Sequence, residues 1–483
     1  MRFAIFLGAL LLLANLPAKA QNNKWDLRRC VEYAMSNSIS VKQADVQARL
    51  SAVTYKESKL QQIPTLNFQG SNGFSFGRVL DRTTNVYTDN SSMFQQLSLG
   101  SQVNIFNWNS QKNTIAANDL TFRADVAALE KAKNDIGLSV ANQYLLTLLQ
   151  IEQARVNDVQ LQQTRAQLEN TRKLVDAGSL PELNAAELEA QYARDSATLV
   201  ASFTQVELNL LTLKAFLNLP ADTPFEIETP PVDRIPVDNI MEITPAVVYE
   251  LAMKTQPQIK MNNLRLLSAQ KSYAASRGRL YPTISAFGQL NTNYFAPFKS
   301  TSLVDLGFQP TQAFAQDGAN QYPVFARNFG TAQSSNSFGG LWKGYWGTLK
   351  DQFGQSLGIS LNVPIFNGWS SRANVERSKL TIKNQELLVE QETLKLKQDV
   401  YSAYQSAMGS YQTFLARQKA VQTAERSFDL ASKRYNIGVM QTIEWLTNQN
   451  NLTRARIDKL IAQYDYVFKM KVLEFYKGQG LRL

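Results

Sequence analysis

The sequence contains no histidine and only one cysteine, Cys30, among 483 residues. Without an imidazole there is no Ser-His-Asp triad and no histidine-ligated metal. A lone thiol cannot close an internal disulfide, and Cys30 reads as a buried packing residue. A basic block is missing too: the formal net charge of +10 is spread along the chain, which argues against a nucleic-acid footprint. No nucleophile, metal or phosphate-binding constellation is present, so an enzyme is the weakest reading and no cofactor is expected. Proline is absent from 110 to 177 and from 370 to 437, where the only glycines are Gly137 and Gly409.

What is present begins with a sorting signal. Met1 to Ala20 carries Arg2, an apolar run from Phe3 to Ala14, and Ala18-Lys19-Ala20 before Gln21, the pattern of a cleavable secretory peptide. The run is too short to span a bilayer as an anchor. Its removal takes Arg2 and Lys19 and lowers the net charge from +10 to +8. No cysteine follows the cut, so a lipid at the new N-terminus is not suggested.

The rest of the chain says nearly the same thing twice. Glu32, Ala34, Met35, Lys42, Tyr55, Ser58, Pro64, Thr65 and Gly70 recur 218 residues later as Glu250, Ala252, Met253, Lys260, Tyr273, Ser276, Pro282, Thr283 and Gly288. Ile105, Phe106, Asn107, Ser110, Tyr144, Lys173 and Gly178 recur 260 residues later as Ile365, Phe366, Asn367, Ser370, Tyr404, Lys433 and Gly438. The 42-residue difference between the offsets is an insertion in the second copy. Repeat one runs from about 25 to 220 and repeat two from about 246 to 478, joined by a linker from about 220 to 245 that holds six prolines and the undistinguished carboxylates Asp233 and Asp238.

Four segments alternate with a period of two, near 65–77, 96–106, 282–294 and 355–366. Leu66, Phe68, Phe74 and Phe76 oppose Asn67, Gln69, Ser71 and Ser75; Leu97, Leu99, Val103 and Ile105 oppose Ser98, Gly100, Gln102 and Asn104. Ile284, Ala286, Leu290 and Tyr294 oppose Ser285, Gln289, Asn291 and Asn293; Leu357, Ile359, Leu361 and Val363 oppose Ser356, Gly358, Ser360 and Asn362. Such faces suit a strand with lipid on one side and an aqueous lumen on the other, which needs only about 9–11 residues to cross. A soluble β-sandwich with one buried face would alternate in the same way.

The proline-free stretches read as helices roughly 100 Å long. In the second, Leu380, Leu387, Leu394, Tyr401, Met408 and Leu415 form an apolar column of period seven, the mark of left-handed coiled-coil packing. Asn384, Gln391, Gln398, Gln405 and Gln412 form an uncharged polar column beside it, either a solvated face or a channel lining. Gly178 and Gly438 close the rods, and shorter return helices follow over about 182–217 and 442–476. Ser179-Leu180-Pro181-Glu182 reads as a capping box. The order per repeat is helix, strand, strand, long helix, return helix. The segment from about Phe295 to Phe353, rich in Gly, Ser, Asn, Gln and aromatics, reads as the inserted loop, beside a second loop from Arg78 to Phe94.

Four strands cannot close a barrel, and an open edge in hydrocarbon leaves unpaired backbone groups at several kcal/mol each. Copies of the chain must then share one barrel: two copies give eight strands and a filled interior, three give twelve and an open bore. The hydrophilic inner faces favour the open version.

These features resemble the TolC-like outer-membrane factor family. The residues that carry the resemblance are Val363-Pro364-Ile365-Phe366-Asn367-Gly368, the weaker Ile105-Phe106-Asn107-Trp108, the Pro-Thr strand starts, and the motifs Asp176-Ala177-Gly178-Ser179 and Tyr435-Asn436-Ile437-Gly438-Val439. The resemblance implies an α+β membrane protein, a homotrimer whose four strands per chain build a twelve-stranded transmembrane β-barrel in the outer membrane of a Gram-negative bacterium. It implies long coiled-coil helices forming a periplasmic α-barrel. The implied function is the exit duct of a tripartite efflux pump or type I secretion system, docked to a periplasmic adaptor (membrane fusion protein) and an inner-membrane RND or ABC transporter. A periplasmic or surface coiled-coil scaffold would explain the rods but not the strands.

The resemblance also implies site residues. Gly178, Ser179, Gly438 and Val439 fall at the tips where the adaptor docks. The gate and constriction fall on Asn184, Tyr435, Met440, Glu444 and Thr447. Met440 stands where the family pattern has an arginine, and Thr447 and Asn184 stand where it has acidic partners. One acidic ring is therefore expected, from Glu444, whose carboxylates, brought together under threefold symmetry, would favour cations.

Overall fold

The computed structural model describes residues 24–81, 85–229 and 239–478. The leader, the linker residues Pro230, Pro231, Asp233, Pro236 and Asp238, and the tip of the first hairpin lie outside them. In chain order the first repeat is α1 (Leu27–Asn37), α2 (Ile39–Leu60), β1 (Thr65–Asp81), β2 (Val86–Phe106), α3 (Ser110–Asp176) and α4 (Glu182–Leu217). The second is α5 (Pro245–Thr255), α6 (Pro257–Gly278), β3 (Thr283–Pro297), β4 (Lys299–Asp317), β5 (Asn320–Ser335), α7 (Tyr345–Asp351), β6 (Gly354–Asn362), α8 (Ser370–Asn436) and α9 (Thr442–Tyr476). Helix starts obey the sequence offsets: α5 and α6 begin 218 residues after α1 and α2, and α8 and α9 begin 260 after α3 and α4.

The first helix of each repeat is broken in two, which the periodicity does not reveal. Ser38 adopts a non-helical backbone and its N–H closes on the Ala34 carbonyl at 2.8 Å. Its counterpart Gln256 precedes Pro257, and a residue before proline is pushed out of the helical region.

Two compact units divide the chain. One comprises described residues 24–55, 117–270 and 380–478 and is built almost wholly from helices. Its two main cores are copies of each other. In the first, Cys30 and Ala34 of α1 meet Val140 of α3 and Leu213 of α4. In the second, Val248 and Ala252 of α5 meet Val400 of α8 and Leu473 of α9. Each residue matches its partner at the repeat offset, so Cys30 occupies the place of a valine. Its thiol is fully buried, and burial, reinforced by Asp26, pushes its pKa up to about 12.

Most of the apolar column of α8 is not buried within the chain, although Met408 packs against a buried cluster. Leu380, Leu387 and Leu394 are 68, 52 and 62% exposed, and the helix buries Leu396, Val400, Ala407, Ser410, Val421 and Ala431 instead. A heptad stripe specifies an apolar seam without specifying whose helix fills it.

The other unit, residues 56–116 and 271–379, contains a four-stranded antiparallel sheet in the order β1-β2-β3-β6. The register fixes the faces: Phe68 lies opposite Leu99, Leu99 opposite Leu290, and Ala286 opposite Ile359. On the other side Gln69 meets Ser98, Ser98 meets Asn291, and Ser285 meets Ser360. The apolar face is bare, with Leu66 and Phe68 70% and Ile359 73% exposed. The outer edges of β1 and β6 have no partner strand among the described residues.

Strand limits differ from those read in the sequence. β1 and β2 continue together to Asp81 and Val86, so most of the expected 78–94 loop is paired strand. A bulge between Asn104 and Phe106 turns Phe106, not Ile105, onto the apolar face opposite Ile284. β6 stops at Asn362 rather than 366, because Pro364 has no N–H to give a ladder. The exits into the long helices share one turn, with consecutive left-handed residues at Trp108-Asn109 and Gly368-Trp369. Asn107 and Asn367 hold it: each side-chain oxygen accepts the N–H four residues on, at 3.3 and 3.4 Å.

The 295–353 segment is likewise not a loop. β4 and β5 pair as a hairpin that turns at Gly318, where φ is +65°, and α7 follows. Two register shifts, between Asp305 and Phe308 and between Pro310 and Phe314, hide the alternation from a period-two reading.

Candidate functional site

The helical turns at the two tips, both in the helical unit, have the same construction. After α3 the Gly178 N–H donates to the Val175 carbonyl at 2.8 Å and the Ser179 N–H to Leu174 at 2.8 Å. After α8 the Gly438 N–H donates to Tyr435 at 2.9 Å and the Val439 N–H to Arg434 at 3.0 Å. This bond pair is a Schellman cap, and it requires a left-handed residue at the glycine. The φ angles are +69° at Gly178 and +77° at Gly438. The expected capping box is absent: Pro181 is the N-cap of α4 and makes no side-chain cap bond. A proline before Glu182 supplies an extended backbone but no hydroxyl to receive the N–H groups.

Below the turns an apolar knot joins the hairpins. Leu168 of α3, Leu188 of α4 and Trp445 and Leu446 of α9 are buried together, with Tyr192, Phe428, Tyr435 and Met440 packed around them. Tyr435 stacks on Trp445 with ring centres 5.3 Å apart, and the Trp445 indole N–H donates to Ser432 Oγ at 3.1 Å. Deeper in, Thr164 Oγ1 and Gln191 Nε2 both donate to Asp195 at 2.7 Å, a buried carboxylate held by hydrogen bonds. Arg172 forks onto Glu189 across α3 and α4 at the exposed surface.

Between the hairpins lies an open groove of about 830 Å³. It gathers Asn184, Tyr435, Gly438, Val439 and Met440 with the amides of Gln167, Asn170, Asn436 and Gln441 and the side chains of Leu174, Leu180, Leu183 and Ile443. Lys173 and Glu187 are its only charged lining residues among those described. Gly178 and Ser179 lie at the tip turn but do not line it. Glu444 and Thr447 also stand apart, exposed on the first turns of α9, where Thr447 Oγ1 donates to Ile443 O at 2.8 Å and Asn448 Nδ2 to Glu444 O at 2.9 Å. Met440 belongs to the apolar knot as well as to the groove. Trp445 and Leu188, which centre the knot, were missed by motif reading.

Among the described residues no group of three or more His, Cys, Asp or Glu could hold a metal, and no helix is long and apolar enough to cross a membrane. No functionally curated protein matches the chain in sequence. The sequence model for "outer membrane efflux protein" matches residues 311–478. Solved structures share the fold over nearly the whole chain. CusC, whose crystal structures concern folding and transmembrane channel formation, is 15% identical with a TM-score of 0.72, covering 95% of both chains. The outer membrane protein VceC of Vibrio cholerae is 14% identical at a TM-score of 0.70, covering 94% of this chain and 97% of its own. The CmeC outer membrane channel of Campylobacter jejuni is 15% identical at 0.70, covering 94% and 86%.

Proposed function

We propose that the chain belongs to the outer membrane efflux protein family, whose sequence model matches residues 311–478, and that it is the outer-membrane exit duct of a tripartite efflux pump or type I secretion system. The observation that carries this reading is the four-stranded sheet with two unpaired edges and a bare apolar face. In lipid every backbone group needs a partner, so β1 of one copy must join β6 of the next. Three copies give twelve strands and an open bore lined by the Ser, Asn and Gln face. The duct conducts passively and leaves the choice of cargo to its pump.

The same trimer accounts for the bare column of α8, which a neighbouring copy's helix would cover in the periplasm. Leucines and uncharged amides in the tip groove, with one charge of each sign, suit the amphipathic helical hairpin of a periplasmic adaptor, which in turn holds an inner-membrane RND or ABC transporter. Gly178, Ser179, Gly438 and Val439 would meet that adaptor. Glu444 and Thr447 would face the bore, with Asn184, Tyr435 and Met440 setting the spacing of the hairpins. A coiled-coil scaffold leaves the apolar sheet face without a role.

Two measurements test the reading. Purified protein should require detergent, run as a trimer, and open ion-conducting pores in planar bilayers; a soluble monomer would end it. Cysteines placed at Ser179 or Val439 should cross-link to a co-expressed adaptor, and no adduct at either site would refute the docking assignment.

A further inference from the structure

The segment between β5 and β6 lies on the apolar face of the sheet. Leu341 and Leu349 are buried against Met93 and Tyr294, with Ala296, Phe298 and Tyr345 around them. Polar bonds fix the placement: the Tyr294 hydroxyl donates to the Leu341 carbonyl, the Tyr345 hydroxyl bonds Gln95 Oε1, and Thr292 Oγ1 donates to the Leu349 carbonyl at 2.6 Å. On the same face Leu66, Phe68, Leu290 and Ile359 stand exposed. A buried Met93 and a hydrogen-bonded Gln95 therefore mark where the segment covers the two central strands, while Phe76 of β1, two residues past the partner of Met93, stays 75% exposed.

The outward side of the segment has a different character. Trp346 is 80% exposed and Trp342 41%, and between and beside them Lys343 and Lys350 are exposed, neither in an ion pair among the described residues. The position along the sheet is informative. β6 begins at Gly354, opposite Asn291, and Tyr294 lies three residues past that point on β3. The strand β6 has 9 residues, roughly 30 Å of extended chain, which at a tilt of about 40° spans about 23 Å, the height of the apolar band of an outer-membrane barrel. Beyond its other end a second aromatic group stands clear: Phe106, Trp108 and Tyr281, with ring centres 5.3 and 4.9 Å apart, and the exposed Phe366 and Trp369. Trp342, Tyr345 and Trp346 thus lie at one water boundary of the band and Trp108, Tyr281 and Trp369 at the other.

Resting on the outer-membrane reading above, we propose that the Gly340–Asp351 segment is an anchor for anionic lipid headgroups. Its leucines seal the end of the sheet's apolar face, its tryptophans seat in the interface, and Lys343 and Lys350 bind lipid phosphate. The occupant is the membrane surface. The bare face of the sheet runs directly into the segment, and its two cations, against the single Asp351 carboxylate, match a negative headgroup layer. A lysine at such a surface strengthens attachment about fivefold.

Full-length protein in mild detergent, titrated with phosphatidylglycerol or phosphatidylcholine and examined by native mass spectrometry, tests the anchor. Wild type should retain phosphatidylglycerol in preference. Lys343→Gln with Lys350→Gln should lower that preference about 25-fold, the product of two fivefold losses, while Asp351→Asn should raise it. Trp346→Ser should weaken both lipids alike. Equal retention of the two lipids by wild type, or an unchanged preference in the double variant, would overturn the proposal. Pore formation by the same variants reports separately on the duct: pores with no lipid preference refute the anchor alone, and absence of pores in wild type refutes the duct.

Discussion

Cys30 offers the sharpest test of the duplicated core, because the other repeat shows what belongs there. Its counterpart Val248 is fully buried in the matching cluster, so Cys30→Val should keep stability within about 1 kcal/mol. Cys30→Ser puts a more strongly hydrated hydroxyl into the apolar cluster of Val140 and Tyr144, where a shared bond back to the Asp26 carbonyl, which already takes the residue-30 N–H at 3.1 Å, offsets only part of the loss. The expected cost is about 1–3 kcal/mol. Titration gives a second, independent signature. Burial raises the folded pKa to about 12, whereas an unfolded thiol ionises near about 8.5. A group raised on folding contributes its full stability below the unfolded value and loses it as pH climbs towards the folded one. The loss is about 1.4 kcal/mol per pH unit above about 8.5, or about 2 kcal/mol between pH 8 and 10. Cys30→Val lacks this loss, and every other titrating group is common to both proteins. Unfolding followed by helical circular dichroism in detergent at the two pH values measures the difference. Equal alkaline losses in the two proteins, or rapid labelling of the folded thiol, would refute the burial.

Three further outcomes follow from the tips. A Cβ built on Gly438 meets nothing within 4 Å, so Gly438→Ala carries only the left-handed backbone cost of about 1 kcal/mol; hydrogen exchange at 438–439 should quicken about fivefold with the distant cores unchanged, and slow exchange would refute the cap. Trp445→Ala should cost about 3–5 kcal/mol, seen as a lowered Tm, while Trp445→Phe keeps most of the stack on Tyr435; an unchanged Tm in the alanine variant would remove the knot. Glu444→Gln should reduce cation selectivity in planar bilayers, and unchanged selectivity would discard the acidic ring.

Much of the fold was legible because two periods and one duplication speak plainly. Proline-free stretches end where glycine can turn left-handed, and the rods do end at Asp176 and Asn436. The alternation of Leu97 and Leu99 with Ser98 and Gly100 gave both faces of the sheet. Three features stayed hidden for physical reasons. The break at Ser38 leaves the apolar spacing nearly intact, so only backbone geometry shows it, whereas Pro257 is a local sign of the break at Gln256 that the period alone passes over. The β4–β5 hairpin loses its alternation at two irregular positions. At the site, motif positions located the turns at Gly178 and Gly438, but the packing of Trp445 on Tyr435 is a tertiary fact with no local sign.

The two free edges of the sheet are unequal: β1 has 17 residues and β6 has 9. A joint made edge to edge between copies can have no more rungs than its shorter rail allows, whereas β1 and β2 are laced along all 17 residues of β1. Because β6 also holds β3 by only 9 pairs, heat or mechanical load on the proposed ring should loosen it on either side of β6 while the β1–β2 pair stays laced.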